Sequence, residues 1–288
     1  MTAFARRHPS VNFIFFAFVL VLTMMTEHPA IALTSLAAAA CYALCCVGGK
    51  RLLRQLRFIV PLMLLAGLLN PLTSHLGETV LFRFPWGSVC TLEAVLYGVF
   101  AAIRLAAVLF WFVCWNSVIT SDKFLYLFGG VFPSLSLTLC MGLRFVPRLL
   151  RRMREVSQAQ KCLRPDSRGL RHAGRVVSVT VTWALESALD TAGSMKSRGY
   201  GLRGRTAYSP YRFGIRDIAA LACIVLPGAA ALTGRLCGWF AFVFYPTLSG
   251  AQGLRTALCA VCFGLLAAYP LILEGKEALL WRASRLKT

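Results

Sequence analysis

Apolar runs long enough to cross a membrane alternate with short polar breaks along most of this chain. We predict about six membrane-spanning segments, at residues 11–25, 30–47, 58–69, 91–118, 215–236 and 255–273. A short amphipathic helix is expected at residues 123–128. The apolar segment at residues 133–143 is too short to be assigned as a span and is interpreted as partly buried or interfacial. The pattern therefore predicts an all-α, polytopic integral membrane protein.

The longest polar stretch lies between two apolar regions and predicts two long amphipathic helices. The first covers residues 149–163. In the second, apolar residues recur with the three-and-four spacing of one helix face, at Val177, Val181, Ala184, Leu185, Ala188, Ala192 and Met195. Ser197-Arg198-Gly199 marks its C-terminus, since a basic last turn followed by glycine is a common helix end.

Three regions follow from this pattern. Residues 1–143 form an N-terminal transmembrane region with about four spans and the short interfacial helix. Residues 144–212 hold the two amphipathic helices, and residues 213–288 hold about two further spans and a basic tail. Asn70-Pro71 is expected to end the third span, and the basic residues Lys50 to Arg57 are expected to form a connector before it.

Composition allows two classes of protein. The chain is 58% hydrophobic with a formal net charge of +20, which suits either a nucleic-acid binder or a membrane protein with basic cytoplasmic loops. The positions of the charges favour the second class. With six spans, all but four of the 31 Lys and Arg residues fall on one side of the membrane; the exceptions are Arg83, Arg104, Arg235 and Arg255.

This asymmetry predicts the topology. Because positive residues concentrate in cytoplasmic loops, both termini and residues 144–212 are expected in the cytoplasm of a multi-pass protein of the cell membrane. The lipid bilayer is then its main environment, and nucleic acid is not expected as a partner.

Few residues suggest chemistry within the chain itself. Arg104 lies inside the fourth predicted span, where a charge marks either a functional position or a structural ion pair. Glu186 and Asp190 are expected to be salt-bridge partners of nearby arginines rather than paired catalytic acids. The 11 cysteines lie mostly in apolar runs and the four histidines are scattered, so no metal site is expected. With no phosphate-binding loop or nucleophile motif, the chain is not expected to be an enzyme.

One stretch resembles a known family. Ser194-Met195-Lys196-Ser197-Arg198-Gly199-Tyr200-Gly201 is similar to the second Ala-Arg-Gly-type motif of the transmembrane T components of energy-coupling factor (ECF) transporters. Ala159-Gln160-Lys161-Cys162-Leu163-Arg164 resembles a degraded first motif. The resemblance extends to Asn70-Pro71, to residues 122–127 and to residues 143–148, in the same order and spacing.

The resemblance implies a function and a set of partners. It implies two cytoplasmic coupling helices crossed over a pair of ABC ATPases, each ending in a motif whose arginine enters a groove on one ATPase. Arg198, with Ser197 and Gly199, would be the second motif. Cys162, Leu163 and Arg164 occupy the first, and the cation comes either from Arg164 or from Arg168 in the following loop. ATP would be bound by the partners only, so this chain would carry no cofactor.

The implied protein is the energy-coupling subunit of an importer for vitamins or for transition metals such as cobalt or nickel. It would pass ATP-driven movement to a small substrate-binding membrane subunit, the S component. Two other classes remain as alternatives: a self-sufficient channel or secondary transporter, and a membrane-embedded lipid enzyme. The first would show broken helices at matching positions of two halves, and the second would show converging acids, histidines or nucleophiles.

Overall fold

The computed structural model describes residues 2–73, 79–83, 89–129, 132–163, 169–202, 211, 213–239, 242–244, 249–250 and 253–285. The chain forms two compact units. The membrane unit comprises residues 1–121 and 211–288, and the hairpin unit comprises residues 122–210.

Helices make up most of the described residues. In chain order they are α1 (Pro9–Met25), α2 (Pro29–Val47), α3 (Gly49–Thr73), α4 (Leu92–Val118), α5 (Ser121–Gly129), α6 (Pro133–Leu163), α7 (Leu170–Ser197), α8 (Ile215–Leu236) and α9 (Leu254–Arg285), preceded by a 3₁₀ turn (Phe4–Arg6). Two short antiparallel strand pairs occur between membrane helices. They are β1 (Val80–Arg83) with β2 (Val89–Thr91) and β3 (Phe242–Val243) with β4 (Ser249–Gly250).

Five of the described helices are long and apolar enough to cross a membrane: α2, α3, α4, α8 and the Leu254–Leu280 part of α9. The remaining helix of the membrane unit, α1, is also apolar but has only 17 residues, somewhat short of the roughly 20 that a perpendicular crossing needs. The predicted all-α, polytopic membrane fold is confirmed, with five long candidate spans and one shorter helix where about six spans were expected.

The core of the membrane unit is aromatic. Phe4, Phe15, Phe16, Tyr42 and Trp111 are fully buried, and their rings meet edge to face or tilted, with Phe4 and Phe15 centroids 5.1 Å apart. Such offset geometries are favourable because the ring edge is positive and the face negative. The interior thus joins the N-terminal turn, α1, α2 and α4 around one indole ring.

Three polar side chains inside this core form a hydrogen-bonded chain. The Trp111 indole nitrogen donates to the Ser35 hydroxyl at 3.0 Å, and that hydroxyl also shares a hydrogen bond of 2.9 Å with Thr23. Because unpaired polar groups are costly in an apolar interior, this network fixes the relative register of α1, α2 and α4.

Helices α3 and α4 pack unusually closely at Gly98. A Cβ atom at Gly98 would lie 2.5 Å from the carbonyl oxygen of Gly67, so no larger residue fits. One turn away, the Asn70 side chain donates to the carbonyl of Ala94 at 2.8 Å. The prediction that Asn70-Pro71 ends the third span is wrong, because this packing supports the segment and α3 continues to Thr73.

The start of α3 is also corrected. It begins at Gly49, so Lys50, Arg51, Arg54 and Arg57 belong to its first turns rather than to a connector. Long basic side chains can keep their charge in water while their methylene stems lie along the helix. This allows a membrane helix to extend past the apolar run that the sequence shows.

Ionic and backbone contacts join distant parts of the membrane unit. Arg7 lies 3.8 Å from Asp217, and Asp217 in turn accepts a hydrogen bond of 3.2 Å from the backbone of Gly214 as a cap of α8. At another point, the Arg235 guanidinium donates to the carbonyl of Met25 at 2.7 Å. These contacts link α1 to both ends of α8.

The hairpin unit consists of α5, α6 and α7. The expected segment at 133–143 and the expected helix at 149–163 are one continuous helix, α6, so the boundary predicted at residue 144 falls inside a helix. Pro147 lies inside this helix. A proline in a helix removes only one backbone hydrogen bond, and solvent can satisfy the released carbonyl on an exposed helix.

Candidate coupling surface

The C-terminus of α7 is a Schellman motif built around Arg198. The amide of Gly199 donates to the carbonyl of Lys196 at 3.0 Å, and the amide of Tyr200 donates to the carbonyl of Met195 at 3.0 Å. This pair of bonds requires a left-handed residue just past the cap. Gly199 supplies it, with φ of 78°. A Cβ there would also lie 3.0 Å from the Leu202 side chain.

This turn holds Arg198 in a defined position. Arg198 is the cap residue, exposed to solvent, and within the described residues its guanidinium forms no ion pair. The neighbouring Ser197 hydroxyl donates to the carbonyl of Ser194 at 2.9 Å, which tightens the same last turn. The predicted second motif is therefore a hydrogen-bonded helix end whose guanidinium has no ion-pair partner among the described residues.

The predicted first motif lies at the end of α6. Cys162 is exposed and Leu163 is 82% exposed. Arg164 and Arg168, the two alternatives for its cation, lie outside the described residues. Gly169 caps the start of α7 with φ of 86°, a conformation that favours glycine.

Helices α6 and α7 pair in antiparallel fashion through polar and aromatic contacts. The Ser157 hydroxyl and the His172 imidazole nitrogen are 3.1 Å apart near one end. Further along, the ring of Phe145 stacks on Trp183 with a centroid distance of 6.2 Å. Since sequence-early residues of α6 meet sequence-late residues of α7, the two predicted motifs lie at opposite ends of α7. The 28 residues of α7 at 1.5 Å each separate them by about 40 Å.

Trp183 organises this pairing, and sequence reasoning did not single it out. The guanidinium carbons of Arg148 and Arg152 lie 5.3 and 5.6 Å from the centre of its ring. Cation–π contacts of this kind hold two helices together without removing either arginine from water. The available signal was the one-turn spacing of the two arginines, which puts both on one face of α6.

The face of α7 that packs on α6 is not the predicted apolar face. Val176 and Thr180, the only buried residues of α7, share a face with His172 and Trp183. The residues of the predicted apolar face lie about a third of a turn away and are mostly exposed, with Ala184 and Met195 half-buried. The largest exposed ones are Val177 (47% exposed), Val181 (50%) and Leu185 (63%). We call this row, with Ala184, Ala188 and Ala192, the apolar stripe of α7.

The hairpin unit is strongly basic, and its acids are few. Glu155 pairs with Arg152 one turn earlier, at 3.0 Å. The salt bridges expected for Glu186 and Asp190 are absent among the described residues. The physical reason is that no basic residue lies three or four positions from either acid on α7.

Lys123 lies on α5 and is buried, with 8% of its surface exposed. Burial lowers the pKa of its ammonium group, because removal from water penalises the charged form.

Arg104 belongs to the membrane unit. It is half-buried on α4 and lines a small cleft, open to solvent, together with Glu27, which the sequence did not single out. The rest of the cleft wall consists of Thr26, Pro29, Ala32, Tyr97, Phe100, Ala101 and Phe244. Within the described residues, Arg104 forms no ion pair.

Comparisons with known proteins give no family assignment: no protein-family model matches this chain, and no curated protein is significantly similar to it.

Proposed function

We propose that this chain is the transmembrane coupling subunit of an ECF-type importer, which transmits ATP-driven movement of two partner ABC ATPases to a substrate-binding membrane subunit. The observation that carries the proposal is the end of α7. A guanidinium without an ion-pair partner among the described residues stands on a helix cap that hydrogen bonds hold rigid. This is the form an arginine takes when it must enter a socket on another protein.

Arginine suits such a socket. Its charge persists at all physiological pH values, and its planar fork can bond two acceptors at once. The helix behind it can carry a displacement over its full length, whereas a loop would absorb it. A fixed backbone at Gly199 adds to this, because the position of the guanidinium then follows the position of α7.

The separation of the two motifs supports the use of two ATPases. The end of α6 and the end of α7 lie about 40 Å apart by helix length, which is too far for one groove. Each end therefore contacts its own ATPase. When ATP closes the ATPase pair, the two ends move relative to each other and the helices pass this movement into the membrane.

The apolar stripe of α7 supports a protein partner. Val177, Val181 and Leu185 are about half exposed or more, yet they lie outside the candidate membrane spans. Exposed apolar rows of this kind, flanked by basic residues, mark protein interaction sites. ATP is bound by the partners, and the transported micronutrient, a vitamin or a transition-metal ion, is bound by the S component.

The test is co-purification of the chain from its native membrane in mild detergent. Wild type should bring down ABC ATPases, and Arg198→Glu should reduce their recovery at least about tenfold, as expected when a charge reversal removes a buried, charge-assisted contact. Arg198→Lys keeps the charge but loses the fork, and should fall between the two. Arg151→Glu is the matched control, because Arg151 is an exposed arginine of the same unit that lies in the interior of α6, about 18 Å along that helix from the first motif.

Two results would contradict the proposal. One is the absence of any ATPase with the wild-type chain. The other is an equal loss of ATPases in Arg198→Glu and Arg151→Glu, which would show only a general dependence on positive charge. Substrate flux through the purified chain alone, without ATP, would support the self-sufficient transporter instead.

A further inference from the structure

One face of α3 stays exposed along the whole helix and changes from basic to apolar. At about 100° per residue, the members of this face lie within an arc of about 80°. Leu52 and Ile59, on the opposite face, are 6% and 7% exposed and belong to the packed core. We call the exposed face the α3 ridge; in chain order it consists of Lys50, Arg54, Arg57, Leu64, Leu68 and Leu72.

The basic end of the α3 ridge has no acidic partner among the described residues. Helix α3 itself contains no Asp or Glu. Lys50, Arg54 and Arg57 are exposed and form no ion pair with a described residue. Arg51 lies beside them on the helix surface, so four cations occur within eight residues. Water can solvate any one of these charges, but their arrangement on the helix has a cost of its own.

This arrangement of cations is unfavourable for the helix that carries it. The N-terminus of an α-helix is partially positive, which disfavours cations in its first turn, and no acidic residue in the first turn of α3 offsets this. Lys50 and Arg54 are four positions apart, and Arg54 and Arg57 are three apart. Like charges at these spacings repel each other. All these contributions have the same sign, so one anion bound from outside would relieve all of them.

The apolar end of the α3 ridge lies on a candidate membrane span. Leu64 and Leu68 are each 60% exposed and Leu72 is 53% exposed, on a helix long and apolar enough to cross the bilayer. From Arg57 to Leu68 the helix rises about 16 Å. One leaflet contributes half of the roughly 30 Å hydrocarbon thickness. An acyl chain that lies along the leucines therefore has its headgroup at the level of Arg57 and Arg54.

We propose that the α3 ridge binds an anionic phospholipid. Arg54 and Arg57 hold the phosphate, because a guanidinium forms paired, charge-assisted hydrogen bonds with phosphate oxygens. Lys50, one turn further from the span, adds attraction for the negative headgroup. The exposed leucines contact the acyl chain. The ridge thus presents cations and hydrocarbon in the order in which the lipid presents its anion and its chain.

Other ligands match the α3 ridge less completely. A zwitterionic phospholipid would bring its own cationic group towards the four cations, and like charges at short range oppose binding. A soluble phosphate would satisfy the arginines but would make no use of the leucines. The spacing between the basic end and the apolar end, which equals about one leaflet, favours a lipid over an acidic protein partner.

The experiment is native mass spectrometry of the purified chain released from nanodiscs that contain equal amounts of phosphatidylglycerol and phosphatidylcholine. Wild type should retain phosphatidylglycerol preferentially. The double variant Arg54→Gln with Arg57→Gln should lower its retention about tenfold, because both charge-assisted contacts with the phosphate are lost.

The matched control is Arg151→Gln with Arg154→Gln. These two exposed arginines have the same three-residue spacing and the same total charge, but they lie on α6, which is not a candidate span. The control should leave the preference for phosphatidylglycerol unchanged. Arg54→Lys with Arg57→Lys keeps both charges but loses the planar fork, and its retention should fall between wild type and the Gln variant.

Thermal unfolding separates loss of the lipid from loss of the fold. In neutral detergent without lipid, Arg54→Gln with Arg57→Gln should unfold at the same temperature as wild type or at a higher one, because repulsion between cations is removed. Added phosphatidylglycerol should then raise the Tm of wild type more than that of the variant, because a ligand of the folded state stabilises it. If the Gln variant does not fold, the Lys variant serves both measurements.

Four outcomes would overturn the proposal. The first is no preference for phosphatidylglycerol in wild type, and the second is an equal loss of retention in the α3 variant and the α6 control. The third is displacement of the lipid by glycerol 3-phosphate at equal concentration, which would assign the ridge to a soluble phosphate. The fourth is an acidic membrane protein that co-purifies through Arg54 and Arg57 and leaves no lipid bound. None of these measurements involves an ATPase, so the lipid proposal and the coupling proposal stand or fall separately.

Discussion

The two units of this chain use apolar residues in opposite ways. The membrane unit buries a large aromatic interior around Trp111. Among its described residues, the hairpin unit buries only Lys123, Leu125, Val176 and Thr180. The membrane unit therefore has a core of its own, whereas the hairpin unit is two long helices held by a few specific contacts. The hairpin unit therefore leaves most of its apolar side chains exposed.

Exposed apolar residues have a different meaning in each unit. In the membrane unit, Phe58 is 75% exposed and Leu64 is 60% exposed, on a helix that is apolar and long enough to face lipid. In the hairpin unit, Leu185 is 63% exposed on a helix that is not a candidate span. Equal exposure thus predicts lipid contact in one place and protein contact in the other.

The largest expected effect is in the aromatic core. Trp111→Ala removes a fully buried ring that contacts Phe15, Phe16 and Tyr42 and breaks its hydrogen bond to Ser35. We expect a loss of about 3–5 kcal/mol in the free energy of unfolding. Denaturant or thermal unfolding in detergent measures it.

Two variants sharpen this result. Trp111→Phe keeps most of the ring but loses the indole donor, and should cost about 1 kcal/mol or somewhat more. Leu189→Ala is the comparison in the hairpin unit, because Leu189 is 75% exposed; it should stay within about 0.5 kcal/mol of wild type. Equal losses for Trp111→Ala and Leu189→Ala would refute the contrast between the units.

The apolar stripe of α7 should matter for binding and not for stability. Val181→Ser with Leu185→Ser removes its most apolar positions, both half exposed or more. The free energy of unfolding should change little, and affinity for the ATPase partner should fall about tenfold or more, since buried interface anchors each contribute 1 kcal/mol or more. Binding of purified ATPase to the chain in nanodiscs measures the affinity.

Glu186→Gln is the matched control for this pair, since it changes a polar position of the same helix that has no described ion pair. It should leave the affinity close to wild type. If the double variant of Val181 and Leu185 instead lowers thermal stability and leaves ATPase binding intact, the stripe packs within the chain. The contrast between the two units would then be refuted.

Hydrophobic pattern predicted the architecture well because membrane helices are long and their signal is strong. The five candidate spans, α5 and the end of α7 at Ser197 were anticipated. The bounds of α3 and the continuity of α6 were not. Pro71 and Pro147 both lie inside helices, because the loss of one hydrogen bond is offset by tight packing at Gly98 in one case and by solvent in the other.

The periodicity of the sequence could not predict tertiary contacts. The pattern identified an apolar face of α7 but could not show that α6 packs on a different face, which is chosen by Trp183 and His172. The pattern identified Arg104 as an intramembrane charge. It could not show that Glu27 and Phe244 line the same cleft, because they come from segments far from Arg104 in sequence. For the end of α7, by contrast, local sequence was sufficient, because a Schellman motif depends on consecutive residues only.

The same substitution should have opposite effects at two glycines of α7. Gly199→Ala places a side chain at φ of 78° and against Leu202, which should cost about 1–2 kcal/mol locally and fray the last turn. Gly193→Ala lies in the helix interior, where nothing is within 4 Å of the new Cβ, and should stabilise the helix by about 0.5–1 kcal/mol.

Hydrogen exchange of the Gly199 and Tyr200 amides measures the first effect, because these amides make the capping bonds. Gly199→Ala should also weaken ATPase binding, whereas Gly193→Ala should not. Unchanged exchange in Gly199→Ala would mean that the cap does not hold Arg198 in place.

The smallest expected effect is the loss of stability of the membrane unit at low pH. His8 caps α1, with its ring nitrogen accepting a hydrogen bond of 3.3 Å from the amide of Ser10, and it packs against Phe213. Burial lowers the pKa of His8 below its ordinary value of 6.5, and the nearby Asp217 offsets only part of this. The folded state therefore binds fewer protons than the unfolded state. The stability that neutral His8 contributes is present above pH 6.5 and is lost as the pH falls through the lowered pKa.

His8→Asn keeps a side-chain acceptor at the cap but cannot titrate, so it should reduce the acid-induced loss of stability by about 1 kcal/mol or less. Thermal unfolding of both proteins across this pH range measures the difference, and parallel curves for the two would exclude His8 as its source.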